Sequence, residues 1–249
     1  MTPPPRSVAF NPAEVVAQFI AEAPKQGFRV ENYGTIAGCP LIALTKRTPG
    51  PRRRWYFSSG IHGDEPAPPL ALLKMLESGV FDHRANWFIC PMLNPAGFMV
   101  GSRENADGLD LNRDYRHVRA AEIRAHIAWL ERQPNFDTSI SLHEDWESTG
   151  FYLYELNPQN HPSFADRIIA AVSEVCPIDS AAVIDGREIA APGIIRPIAD
   201  PLLREDWPES IYLRAHHTPL TYTLESPSAL PLIQRIAALR AAVESMISR

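Results

Sequence analysis

Arg54-Trp-Tyr-Phe-Ser-Ser-Gly-Ile-His62-Gly-Asp-Glu65 decides how this chain is read. Trp55 to Ser58 is a short apolar run with the residue types of a buried strand, and Gly60 stops it. Just past the stop stand a histidine and a carboxylate three residues apart, and a strand end is a stiff mount for such groups. Pro66, Pro68 and Pro69 then lead into an apolar run, Leu70 to Leu76, read as a helix to Ser78. Imidazole and carboxylate are ligands that zinc accepts. A single His-x-x-Glu arises often by chance, so its weight depends on what the other strands deliver to the same place.

Working outward, Trp87-Phe-Ile-Cys-Pro-Met-Leu93 is almost continuously apolar, as expected of a strand covered on both faces. It runs into Asn94-Pro-Ala-Gly97, a turn signal, and then a polar loop from Gly101 to Arg113. A helix is expected from about Val118 to Glu131. Phe136-Asp-Thr-Ser-Ile-Ser-Leu-His143 is the next strand, and it too ends in a histidine. Tyr152–Leu156 reads as a strand and Pro162–Val175 as a helix. Residues 177–210, rich in proline, glycine and acids, read as a long, partly ordered loop region of the kind that often carries function. Leu220-Thr-Tyr-Thr-Leu-Glu225 is a last core strand ending in a carboxylate. The helix after it, from about Leu230, has Leu232, Ile236, Leu239 and Val243 as its core stripe.

Upstream, Asn11-Pro12-Ala-Glu14 has the form of a helix start, with a capping side chain, proline in the first turn and an acid behind it. Two strands near Phe28–Tyr33 and Leu41–Thr45, joined around Gly34–Gly38, form an antiparallel edge hairpin. Strands alternating with helices imply an α/β protein: a three-layer α/β/α sandwich with a mixed, mainly parallel central sheet. Ligands in such sheets bind beyond the carboxyl ends of the strands, where His62, Glu65, His143 and Glu225 all fall.

Bulk properties narrow the function. The chain has 249 residues, enough for one large domain, and nothing in its composition marks a boundary, so 1–249 is read as a single domain. A formal charge of −5 argues against a nucleic-acid surface, and Arg52, Arg53 and Arg54 read as a solvated loop. No apolar run reaches the ~20 residues that span a bilayer, and Met1 to Arg6 has no apolar segment of the signal-peptide kind. Three scattered cysteines, Cys39, Cys90 and Cys176, read as reduced, buried thiols, hence a cytoplasmic setting. His83, His117, His126 and His161 read as surface histidines, and Glu144 and Asp145 as solvated loop acids or as readers of a substrate amine. His216 and His217, taken as strand neighbours, would face opposite ways.

Chemically, His62, Glu65 and His143 make two histidines and one carboxylate, a standard catalytic zinc set. A water activated at such a centre needs a base, and Glu225 is placed to be one. Arg103 and Arg113 offer planar cations for a carboxylate or oxyanion.

The chain resembles the zinc carboxypeptidases of the carboxypeptidase A type and their compact relatives, which include murein-peptide amidases and the aspartoacylase/succinylglutamate desuccinylase branch. The resemblance covers about residues 55–226. It rests on five motifs in family order: Gly60-Ile-His62-Gly-Asp-Glu65, Asn94-Pro-Ala-Gly97, Asp110-Leu-Asn112-Arg113, Ser141-Leu-His143 and Thr223-Leu-Glu225. It implies one zinc per chain held by His62, Glu65 and His143, with Glu225 as base and proton shuttle. It further implies that Asn112 and Arg113 grip a substrate carboxylate, that Arg103 polarises the scissile carbonyl, and that Asp110 orients His62. Tyr212, thirteen residues before Glu225, is taken as the substrate-capping tyrosine. The expected activity is a metallocarboxypeptidase acting on the amide bond next to the free carboxylate of a small peptide. The alternatives are an N-acyl-amino-acid deacylase and a catalytically inactive module that binds a carboxylate.

Overall fold

The computed structural model describes residues 10–197 and 201–247. Met1 to Arg6 and part of the 177–210 stretch therefore lie outside the described residues. The strands are β1 (Arg29–Ile36), β2 (Cys39–Lys46), β3 (Arg54–Ser58), β4 (Asn86–Cys90), β5 (Thr138–Asp145), β6 (Tyr152–Leu156), β7 (Val183–Ile184), β8 (Arg187–Glu188), β9 (Ile194–Ile195) and β10 (Thr221–Pro227). The helices are α1 (Pro12–Glu22), α2 (Ala67–Glu77), α3 (Pro95–Val100), α4 (Ala121–Leu130), α5 (Ala165–Ser173), α6 (Glu209–His216) and α7 (Leu232–Ile247).

Eight strands form one mixed sheet in the order β1-β2-β4-β3-β5-β10-β6-β9. Its centre, β4-β3-β5-β10, is parallel. β1 and β2 make the expected antiparallel edge, while β6 runs antiparallel to β10. Each strand shows both faces through the two-residue alternation of its side chains. On one face Trp55, Phe57, Trp87, Ile89, Ile140, Leu142 and Leu224 pack under α1, α2, α5 and α7. On the other, Tyr56 and Phe88 pack under α4 and α6 with Ile123, Trp129 and Leu213. These are the three layers read from the sequence.

Several local readings change. Asn94-Pro95 does not make a simple turn: Asn94 accepts a hydrogen bond from the Gly97 N–H at 2.9 Å and caps α3, as Asn11 caps α1. Residues 177–210 hold the β7–β8 hairpin, the edge strand β9 and the first turn of α6. His216 closes α6 and His217 caps it, so the pair lies on a helix end and not on a strand. His126 is 1% exposed, on the inner side of α4. The three cysteines are free and buried. No helix among the described residues is long and apolar enough to cross a membrane.

Candidate metal centre and active site

The turn after β3 is possible because of two glycines. Gly60 has φ +65°, a left-handed conformation that side chains resist. A Cβ on Gly63 would lie 2.0 Å from the Gly97 carbonyl carbon, so the loop carrying His62 can rest directly on α3. Asn94 fastens that contact, donating from Nδ2 to the Ile61 carbonyl at 3.1 Å while its N–H reaches the Gly60 carbonyl at 2.7 Å. The Asn-Pro-Ala-Gly segment thus holds the first ligand loop in place.

His62, Glu65 and His143 come together, all buried, with one ligand atom of each within 4.8 Å of the others. His62 Nδ1 is 2.5 Å from Glu65 Oε1, and His143 Nδ1 is 3.2 Å from Oε2. Burial opposes ionisation of Glu65, but the two imidazoles outweigh it and hold the carboxyl well below its usual range. Two imidazole nitrogens around one ionised carboxylate fit a divalent cation such as zinc. His62 Nε2 lies 3.3 Å from Asp110 Oδ1, which leaves Nδ1 as the atom available to a metal, as expected when a carboxylate fixes the ring. Asp110 also accepts from Arg103 Nε at 3.0 Å, and Arg103 Nη1 lies 3.3 Å from His62 Nδ1.

Glu225 sits beside His143 in the β5–β10 register. Burial pushes its carboxyl up to about 8; His143 opposes the shift, while Glu65 and Asp145 add to it. All four groups line a cavity of about 570 Å³, along with Arg103, Asn112 and Arg113. Asn112 Oδ1 accepts the Glu209 N–H at 2.9 Å, so what Asn112 offers the cavity is its amide N–H pair.

Tyr212 is not brought to this cavity. It is 7% exposed in the second core, its ring 5.5 Å from that of Tyr115 and 4.8 Å from that of His216. In α6 the neighbouring Ile211 faces the cavity instead, since successive helix residues point about 100° apart. The tyrosines on the wall are Tyr152, which donates to Asp145 Oδ2 at 2.9 Å, and Tyr154, which donates to Asp185.

Glu144 is not a solvated acid. It is 4% exposed, accepts the Ala67 N–H at 2.5 Å and pairs with Arg235 of α7. Burial pushes it up to about 7 against the pull of Arg235. Its own N–H donates to Glu65 Oε2 at 3.1 Å, supporting a member of the candidate metal cluster from behind.

Sequence reasoning missed Arg187, on β8, and Arg204, just before α6, which share a cavity wall with Arg113. Burial and the neighbouring Arg187 and Arg113 lower the proton affinity of Arg204. Trp146, 41% exposed at the rim, was also missed.

Residues 51–188 match the catalytic-domain model of the succinylglutamate desuccinylase/aspartoacylase family. The chain belongs to that family. The chain also resembles a candidate metallopeptidase from Shewanella amazonensis SB2B, at 25% identity over 94% of this chain and 91% of that one, with a TM-score of 0.81. A metallo-carboxypeptidase from Pseudomonas aeruginosa, solved in complex with (2-guanidinoethylmercapto)succinic acid, shares the fold. Its TM-score is 0.68 at 17% identity, over 94% of this chain and 68% of that one. Carboxypeptidase SOL1 of Arabidopsis thaliana is 30% identical over 108 aligned positions, 35% of this chain. The match takes in 22% of that protein, so the chain spans about a fifth of its length. The chain thus joins a desuccinylase/aspartoacylase catalytic domain to a fold shared with metallo-carboxypeptidases.

Proposed function

We propose that this chain, as one catalytic domain, is a zinc-dependent hydrolase that cuts the amide bond next to a free carboxylate in a small peptide. The observation that carries this reading is that one cavity holds both the His62, Glu65, His143 and Glu225 cluster and the Asn112–Arg113 pair. Zinc at His62, Glu65 and His143, one ion per chain, would supply a Lewis acid and make a water acidic enough to attack near neutral pH. Glu225, half-buried on the cavity wall at the end of β10, takes the proton of the attacking water and returns it to the leaving amine. Arg103, held by Asp110, faces the developing oxyanion. Arg113 and the Asn112 amide bind the terminal carboxylate, a charge-assisted contact that fixes which bond is presented.

A second reading is favoured by one observation. Arg187 and Arg204 line the same cavity as Arg113, with Asp185 beside them, so basic side chains beyond the Asn112–Arg113 pair are within its reach. That wall suits an N-acyl derivative of an acidic amino acid. The test is a hydrolysis screen of zinc-loaded protein that sets short peptides, cell-wall peptides among them, against N-acetyl and N-succinyl amino acids. Cleavage of the peptides alone supports the first reading, cleavage of the acyl amino acids alone supports the second, and cleavage of neither set overturns both.

A further inference from the structure

Glu209 is a buried ionisable group that the proposed chemistry leaves unused, and it lies next to the site. It is the first residue of α6, 1% exposed. Its carboxylate lies beneath the cavity against three hydroxyls: Ser58 Oγ at 2.6 Å, Ser141 Oγ at 2.9 Å and Tyr56 Oη at 2.9 Å. The nearest ring nitrogen, His126 Nε2, is 4.0 Å away. Burial pushes the pKa of His126 down to about 3, so the imidazole is neutral. An acid in such a place costs several kcal/mol in desolvation, and a leucine would fill the same space without that cost. Its retention asks for a reason.

The hydrogen bonds around it supply one. Tyr56 donates to Glu209, and therefore accepts from His126 Nε2–H at 2.8 Å; His126 Nδ1 then accepts from Tyr115 Oη at 2.7 Å. This chain fixes the carboxylate from behind. In front, Ser58 and Ser141 are register partners on β3 and β5. Ser58 is four residues before His62, and Ser141 two before His143. The Glu209 side chain thus ties together the two strands that end in histidine ligands. Its backbone N–H meanwhile holds Asn112 Oδ1, and the Asn112 N–H donates at 2.9 Å to Asp110 Oδ1, the oxygen that faces His62 Nε2. The path His62, Asp110, Asn112, Glu209, Ser141, His143 closes through Glu65, which faces both histidines, into a brace. It runs along the cavity wall, with Glu209 behind it, and has the carboxylate-gripping amide as one of its joints.

We propose that Glu209 is a positioning residue that sets the distance and angle between the metal-binding histidines and the Asn112–Arg113 grip, and so determines that a substrate carboxylate is read at all. The inference rests on the proposed carboxylate-dependent hydrolysis. Its action is geometric: a side chain of the same length that keeps the hydroxyl contacts should serve, and one that drops them should not. Ser58 and Ser141 can accept from a glutamine amide, and Tyr56 can donate to its oxygen.

The test uses the full zinc-loaded chain and a matched pair of peptides, free acid and C-terminal amide, with KM and kcat for each and zinc affinity by chelator competition. Glu209→Ala should raise KM for the free acid at least tenfold and change the amide far less, collapsing the preference for the acid. Glu209→Gln should restore most of that preference at near-normal zinc affinity. If Glu209→Ala does not fold, Tyr56→Phe loosens the same carboxylate from the side away from the cavity, and should lower the preference a few-fold in the same direction. An equal fall for both peptides would make Glu209 a merely structural residue and overturn the inference. So would a Gln variant as impaired as Ala, which would mark the charge and not the geometry as the cause. A wild-type enzyme indifferent to amidation would instead overturn the carboxylate-dependent reading itself, and the inference with it.

Discussion

The two faces of the central sheet are built from the same strands and do opposite work. On β5, Ile140 and Leu142 point into the core under α2 and α7, while Ser139, Ser141 and His143 point the other way. On β10, Tyr222 and Leu224 face the core, and Thr221, Thr223 and Glu225 alternate with them. β3 repeats the pattern, with Trp55 and Phe57 against Tyr56 and Ser58. Burial of the apolar face stabilises the fold by roughly 1.5–3 kcal/mol for each large side chain. The opposite face uses small hydroxyl residues near the strand ends, which leave room for a cavity and supply hydrogen bonds to its floor. Because a strand backbone is shared by both faces, a ligand on one is held rigid by the packing on the other.

The comparison can be broken most decisively at Glu225. Glu225→Gln keeps size and hydrogen-bonding reach, and should cut turnover by about 10²–10⁴-fold, with zinc content and stability near normal. A stability loss with turnover per folded molecule intact would make Glu225 a structural residue and revive the inactive-module alternative. On the neighbouring strand β5, one residue before His143 and on the apolar face, Leu142→Ala should do the reverse. It should cost about 2–5 kcal/mol in chemical denaturation and leave turnover per folded molecule unchanged. A large fall in specific turnover would show that the faces do not separate.

Arg113→Ala sharpens the picture on the cavity side. Loss of a charge-assisted contact should weaken transition-state binding of a free-acid substrate by about 1.5–3 kcal/mol, and amidating the substrate should mimic it. Full additivity of variant and amidation would show that Arg113 binds something else.

The smallest expected effect is a pH slope. In the folded chain His126 takes a proton only near pH 3, against a usual value of about 6.5. Between those values the unfolded state binds a proton that the folded state refuses, so stability falls as pH falls. The limit is about 1.4 kcal/mol per pH unit. Denaturation midpoints at pH 7 and pH 5 should therefore lie closer together in His126→Gln than in wild type. Equal spacing in the two proteins would contradict a neutral, buried His126.

Much of this was legible because the ligand strands are short, apolar and end in the residues that matter. Two of the misreadings had a signal that went unused. Asn94-Pro95 has the same capping form as Asn11-Pro12, which was read correctly as a helix start. His126 falls three residues after Ile123 and four before Leu130, on the apolar stripe of its helix, and so belonged inside. Other parts left no trace. α6 is eight residues long and emerges from a proline-rich stretch without periodicity, so neither the buried Glu209 nor the inward turn of Tyr212 could be inferred. Arg187 and Arg204 reach the cavity through loop geometry that no spacing encodes.

The buried pair of Glu144 and Arg235 puts the site on a schedule. Glu144 adjoins one metal ligand and donates its N–H to another, and its counter-charge comes from α7, the last helix of the described chain. During synthesis every proposed metal ligand and the proposed base emerge before Arg235 does. Until then Glu144 has no cation to accompany it into the interior, and burying it alone is strongly unfavourable. A chain still growing thus carries all the ligands but not the support that holds Glu65 in register. A residue that never lines the cavity is the last part needed to complete it.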